Sequence, residues 1–119
     1  MSSTLLYPKT RSIVIPAGSD TSGSMDLMGL AILEMWIPAN ITSTKIFPEV
    51  SRNFGKGIYG AFTEVRNTSD IAIFIQVTPD KVYKIVPIDF VGSGRIRFKT
   101  DQIEPNAVEL GITVQAVTS

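Results

Sequence analysis

The chain of 119 residues contains no cysteine and no histidine. Without cysteine there can be no disulfide framework, thiolate metal site or thiol nucleophile. Without histidine, the commonest metal ligand and the side chain that most often moves protons near neutral pH are both missing. Neither sign of charge is in excess: 11 basic residues face 11 acidic ones, for a formal net charge of zero. Nothing therefore draws the whole molecule toward nucleic acid or an anionic membrane. No apolar run approaches the roughly 18 residues of a membrane-spanning helix. Met1-Ser2-Ser3-Thr4 lacks the basic start and apolar block of a signal peptide. These absences point away from an enzyme. The expectation is no catalytic residue, no metal, no cofactor, and neither a nucleic-acid nor a membrane partner.

What the chain does have is β-branched aliphatic side chains. Ile and Val number 25, against 13 Leu and Ala. Ile and Val are stiff at Cβ and suit a pleated surface, whereas Leu and Ala favour helices. Nine Gly and seven Pro supply the punctuation. The length suits one domain able to form its own core. The pattern predicts an all-β protein: a single antiparallel β-sandwich, jelly-roll or Ig-like, of about eight or nine short strands at sandwich spacing. An extended N-terminal arm over residues 1–9 precedes the domain at 10–119.

Within the arm, Leu5, Leu6 and Tyr7 are unusually apolar for a tail. Two readings fit them: they lie on the domain's own surface, or they dock on a neighbouring chain. Residues 11–15 read as a strand stopped by Pro16, and 17–24 as a loop of small polar residues. Residues 24–28 alternate, with Met25 and Leu27 opposite Asp26. Residues 30–37 form a stronger strand. The period of two puts Ala31, Leu33, Met35 and Ile37 on one face, expected to be core. Leu30, Ile32, Glu34 and Trp36 fall on the other, which is too apolar for open water and is expected under another subunit. Trp36 reads either as an interface anchor or as ordinary core packing. Pro48 lacks an N–H for the ladder, so its strand is expected at an edge or to contain a bulge. Residues 61–66 alternate again. The apolar run 71–77 predicts a central strand covered on both faces, joined through Thr78-Pro79-Asp80-Lys81 to 82–86 as a hairpin. Residues 95–100 form a strand followed by a loop through Pro105. Residues 108–117 form the longest alternating stretch, with Val108, Leu110, Ile112, Val114 and Ala116 facing one way.

Few motifs carry chemistry. Gly55-Lys56-Gly57-Ile58-Tyr59-Gly60 fits G-x-G-x-x-G, but a dinucleotide site needs a helix after it, and the next residues read as strand. The glycines read instead as a connection between strands. Arg95, Arg97 and Lys99 alternate with Ile96 and Phe98, placing three cations on one sheet face. They read as a solvated outer face or as a stripe meeting a partner's carboxylates. Asp20 with Asp26, and Glu104 with Glu109, are close in sequence, but nothing specifies the cleft that a carboxylate pair needs for hydrolysis. Asn40-Ile41-Thr42 and Asn67-Thr68-Ser69 fit the glycosylation sequon and mean little without a signal peptide.

A succession of elements carries a family resemblance. The Ser/Gly-rich stretch from Gly18 to Ser24 leads into Met25-Asp26-Leu27-Met28-Gly29. Ile37-Pro38-Ala39-Asn40, the hydroxyl-rich Thr42-Ser43-Thr44 and Ile46-Phe47-Pro48-Glu49-Val50-Ser51 follow. After a Gly-containing loop come Pro87-Ile88-Asp89-Phe90-Val91-Gly92, the basic strand Arg95-Ile96-Arg97-Phe98-Lys99 and an alternating final strand. Over about residues 13 to 117 this order resembles the small β-rich virion proteins of tailed bacteriophages. The chain departs from them at Ile41, where Trp is frequent, and in lacking Gln-x-x-x-Arg before the last strand.

The resemblance implies a non-enzymatic virion structural protein. A head decoration or cement protein on the outer capsid surface is the first reading, and a tail, baseplate or fibre component in host attachment the alternative. Its partners would be the major capsid protein or other virion proteins, and a dimer or trimer of its own chain. Candidate interface residues are Leu5, Leu6, Tyr7, Leu30, Ile32, Trp36, Arg95, Arg97 and Lys99.

Overall fold

The longest alternating stretch of the sequence is the centre of a sheet. In the computed structural model, which describes residues 9–26, 30–55, 58–84 and 93–116, Val108, Leu110, Ile112 and Val114 all point inward and are buried. They belong to the last of eleven strands among the described residues: β1 Lys9–Ile15, β2 Ser19–Thr21, β3 Met25–Asp26, β4 Leu30–Ile37, β5 Lys45–Gly55, β6 Ile58–Tyr59, β7 Thr63–Glu64, β8 Ile75–Gln76, β9 Lys81–Lys84, β10 Ser93–Glu104 and β11 Val108–Ala116. No described residue is helical. The protein is all-β, with two antiparallel sheets packed as a sandwich.

One sheet has the order β1-β11-β4-β9. The other is built on the long pair β10 and β5. β2 and β3 pair with the free side of β10. On the far side of β5, the short strands β8, β7 and β6 pair in turn with Lys45–Ile46, Glu49–Val50 and Asn53–Gly55. The chain from 58 to 76 thus runs back along β5, interrupted by a turn between the bridged residues Arg66 and Ala72.

The core lies between the inner faces. Ile13 and Ile15 of β1, Ile32, Met35 and Ile37 of β4, and the β11 residues meet Met25, Ile46, Ile96 and Phe98 from the other sheet. Each such side chain contributes roughly 1.5–3 kcal/mol by leaving water. Leu30, Val50, Ile75 and Tyr83 pack around this cluster.

The structure corrects several expectations. β4 does not keep its period of two. Thr113 pairs with Glu34 but Val114 pairs with Ile32, so Leu33 is the extra residue of a β-bulge. The bulge reverses the inward parity of the strand. Ile32 is 4% exposed and sits in the core, Leu30 packs against it, and only Trp36 of the three candidate residues remains outward. Residues 71–77 are not a central strand. Only Ile75 and Gln76 pair there, at the outer margin of β5, and Ile71 and Phe74 are exposed.

Nor do 71–77 and 82–86 form a hairpin, because β8 pairs with β5 and β9 pairs with β4. The turn between them changes sheets. Asp80 takes φ 61°, a left-handed conformation that Asp tolerates, and its N–H donates to the Pro38 carbonyl at 3.3 Å. β5 is an interior strand despite Pro48, although it does contain an irregularity, a register shift between Asn53 and Gly55 opposite β6. The Pro48 carbonyl accepts from Val65 at 3.4 Å, so the proline nitrogen also faces the margin covered by short strands. No ladder bond to β10 is lost. The strand expected at 95–100 continues to Glu104, and the loop expected at 17–24 contains β2. Leu5, Leu6 and Tyr7, and the motif at 87–92, lie outside the described residues.

Candidate interaction surfaces

The basic stripe sits where its alternation puts it. Arg95 and Lys99 are exposed on the outer face of β10, Arg97 is half-buried, and Ile96 and Phe98 are buried beneath. The cations are largely engaged by their own chain. Arg97 Nε donates to Glu49 Oε1 at 2.7 Å, and its guanidinium lies 4.3 Å from the Phe62 ring centroid. Arg95 lies 4.1 Å from the Tyr59 ring. Lys45 Nζ is 4.9 Å from Phe74, whose ring meets Phe47 at 5.6 Å between centroids. Such cation–ring contacts contribute about 0.5–1 kcal/mol each at exposed sites. Glu49 faces Glu64 across β5 and β7. Arg97 and Arg66 relieve that like-charge pairing, Arg66 through a 2.8 Å ion pair to Glu64 and a 2.7 Å one to Asp70. The stripe was legible in the sequence. Its aromatic partners were not, since only the path of residues 58–76 along β5 brings Tyr59 and Phe62 beside it.

That path also leaves large apolar side chains in the open. Ile58, Ile71 and Phe74 are exposed along the margin beyond β5, and Phe54 is exposed near the end of β5. Phe54 lies against Gly60, where an added Cβ would meet its ring at 3.0 Å, and stacks with Arg52 at 5.4 Å.

The outer face of the four-stranded sheet is different in kind. Its register forms a row Ser12–Gly111–Trp36–Val82 and, beside it, a row Thr10–Thr113–Glu34–Lys84. Trp36 is 49% exposed. Its indole leans across β11: a Cβ on Gly111 would meet Trp36 Cβ at 3.0 Å and Cγ at 3.4 Å, and Nε1 donates to Thr113 Oγ1 at 3.3 Å. Ser12 Oγ donates to Glu109 Oε1 at 2.7 Å on the same face.

The carboxylates near in sequence do not pair in space. Glu109 is on that outer face, whereas Glu104 is 0% exposed. Glu104 accepts from Thr42 N at 2.9 Å, Thr42 Oγ1 at 3.0 Å and Ser43 N at 2.8 Å, and from the Ser43 hydroxyl. Burial pushes its carboxyl up, but the hydrogen bonds from Ser43 and Thr42 outweigh burial and hold it below the ordinary value. Asp101 does the same for the next residues, accepting from Thr44 N and Oγ1 at 3.0 Å and Lys45 N at 3.1 Å. Partial desolvation raises its carboxyl, and the bonds from Lys45 and Thr44 bring it below the ordinary value. Both acids on β10 therefore anchor the chain entering β5. Asp20 accepts from Thr21 Oγ1 at 2.8 Å, and Asp26 lies opposite Arg95 in the ladder. The glycine motif ends in the β5–β6 pairing rather than a helix. The sequon asparagines hold turns: Asn40 Nδ2 donates to the Ala107 carbonyl, and Asn67 Oδ1 accepts from Ser69 and Ile71.

Among the described residues no group of three or more acidic side chains is placed to hold a metal ion, and no helix is long and apolar enough to cross a membrane. Comparison with known protein families, with curated proteins and with solved structures finds no match to this chain.

Proposed function

We propose that the chain is a non-enzymatic structural protein of a bacteriophage virion, a decoration protein bound to the outer surface of the head. The succession of sequence elements from Gly18 to the final strand supports the virion assignment. The observation that carries the binding role is the margin beyond β5. There Ile58, Ile71 and Phe74 stand exposed on the segment whose short strands cover β5 only in pieces, and Phe54 stands exposed near the end of β5 itself. Large apolar groups exposed along the length of one margin suit a contact surface, and partly covered strands offer backbone groups for pairing. The major capsid protein is the partner this reading assigns to that margin. The N-terminal residues Leu5, Leu6 and Tyr7 would reach a neighbouring chain, either a second copy in a dimer or trimer or the shell itself. Many copies bridging shell subunits then raise the cost of local opening by mass action.

The test is binding to purified heads lacking this protein. Ile58→Asp with Ile71→Asp places two charges on the margin without touching the core. The double variant should keep the wild-type thermal midpoint and bind heads at least tenfold more weakly. Unchanged binding refutes the margin as the contact. Electron microscopy of labelled virions separates head from tail, and label on the tail or baseplate favours the host-attachment alternative.

A further inference from the structure

We propose that the outer face of the four-stranded sheet is a saccharide-binding platform centred on Trp36, taking a short run of neutral pyranose units. The inference is independent of where the protein resides, and it concerns the sheet opposite the margin assigned above to the shell.

Three observations carry it. First, the indole is half exposed in the middle of the sheet rather than at an edge, since its row runs Ser12–Gly111–Trp36–Val82 across all four strands. Second, the ring is positioned before any ligand arrives. Gly111 leaves room for the Trp36 side chain, an added Cβ meeting Trp36 Cβ at 3.0 Å and ring Cγ at 3.4 Å, and Thr113 Oγ1 accepts the indole N–H at 3.3 Å. A ring held in this way loses little freedom on binding. Third, the surroundings are hydrogen-bonding rather than apolar. Ser12 with Glu109, Thr10 with Thr113, and Glu34 opposite Lys84 flank the indole. Val82 is its one apolar cross-strand neighbour.

A protein hot spot of this size is normally set in a well-packed apolar centre. The bulge at Leu33 removes that centre by turning Ile32 inward. An aromatic ring amid hydroxyls and carboxylates suits a ligand that has an apolar C–H face and a rim of hydroxyls, which is the chemistry of a pyranose. With Glu34 opposite Lys84 and Glu109 on the same face, the carboxylates disfavour an anionic ligand. The rows span roughly 14 Å at about 4.8 Å per strand, the length of a short oligosaccharide. The basic face of the other sheet offers no equivalent, because its rings are already occupied by Arg95, Arg97 and Lys45.

Trp36 is the only tryptophan in the chain, so its fluorescence reports on this site alone. The full-length protein is titrated with hexamers of β-1,4-glucose, α-1,4-glucose, β-1,4-N-acetylglucosamine and β-1,4-galactose. At least one should shift or quench the emission with a dissociation constant on the order of 0.1–1 mM, as one shallow stacking contact allows. By NMR titration, Trp36→Ala should abolish the binding, whereas Trp36→Phe, which keeps a ring, should retain it about five- to tenfold weaker. No response to any hexamer up to about 10 mM overturns the proposal, as does binding that survives Trp36→Ala in a folded protein. If Trp36→Ala instead weakens attachment to heads or self-association and no hexamer binds, the face is a protein contact and the proposal fails.

Discussion

Glu104 shows how much of this fold depends on one buried carboxylate. It takes two main-chain N–H groups and two hydroxyls from Thr42 and Ser43, so β10 and the chain entering β5 are tied beyond the end of their own ladder, which stops at Thr100 opposite Ile46. Replacing it with Ala leaves buried donors unpaired. Glu104→Ala should therefore cost about 3 kcal/mol or more and lower the thermal midpoint by roughly 10 °C, read by circular dichroism. The same residue sets an acid limit. Its folded-state pKa lies below the ordinary value of 4.5, so folding favours the ionised form. That stabilisation is complete above the ordinary value and is lost as the pH falls through the lower folded-state value. The wild-type midpoint should thus fall below pH 4.5 more steeply than that of Glu104→Gln, whose amide does not titrate. In the sequence Glu104 was one of two nearby acids. Its role depends on Thr42 and Ser43, some sixty positions earlier, which no local pattern connects to it.

At the scale of one element, β4 separates what periodicity reveals from what it conceals. Its extent was legible, because an apolar run of strand-forming residues ends at Pro38. Its faces were legible only from Glu34 onward. A bulge adds one residue and shifts every side chain before it to the other face, and nothing in Leu30-Ala31-Ile32-Leu33 distinguishes the extra position. The register opposite β11 decides it. Ile32→Ala should accordingly cost about 2–4 kcal/mol as a core truncation, and Leu33→Ala below about 1 kcal/mol, compared by urea unfolding. A strict alternation would give the reverse order.

For the whole molecule, the described part of β1 makes seven ladder pairs with β11, from Lys9 opposite Val114 to Ile15 opposite Val108, enough to hold that strand in the sheet. Removing residues 2–8 should leave the thermal midpoint nearly unchanged while weakening attachment to virus heads, measured by co-sedimentation. Equal sedimentation of the truncated and full chains would exclude a docking role for Leu5, Leu6 and Tyr7. By itself the sequence determined the β class, the lack of histidine and cysteine chemistry, the inward faces of β10 and β11, and the position of most turns. Each of these follows from residue type and a period of two, which are properties of neighbours along the chain. The tertiary structure decided which strands share a sheet, so that 71–77 became a margin of β5 rather than a central strand and β9 crossed to β4. It also decided the bulge that turns Ile32 inward, the aromatic partners of the basic stripe and the seating of Trp36 over Gly111. Those outcomes arise from contacts between residues far apart in the chain, where register and packing, not local preference, select among alternatives that are locally equivalent.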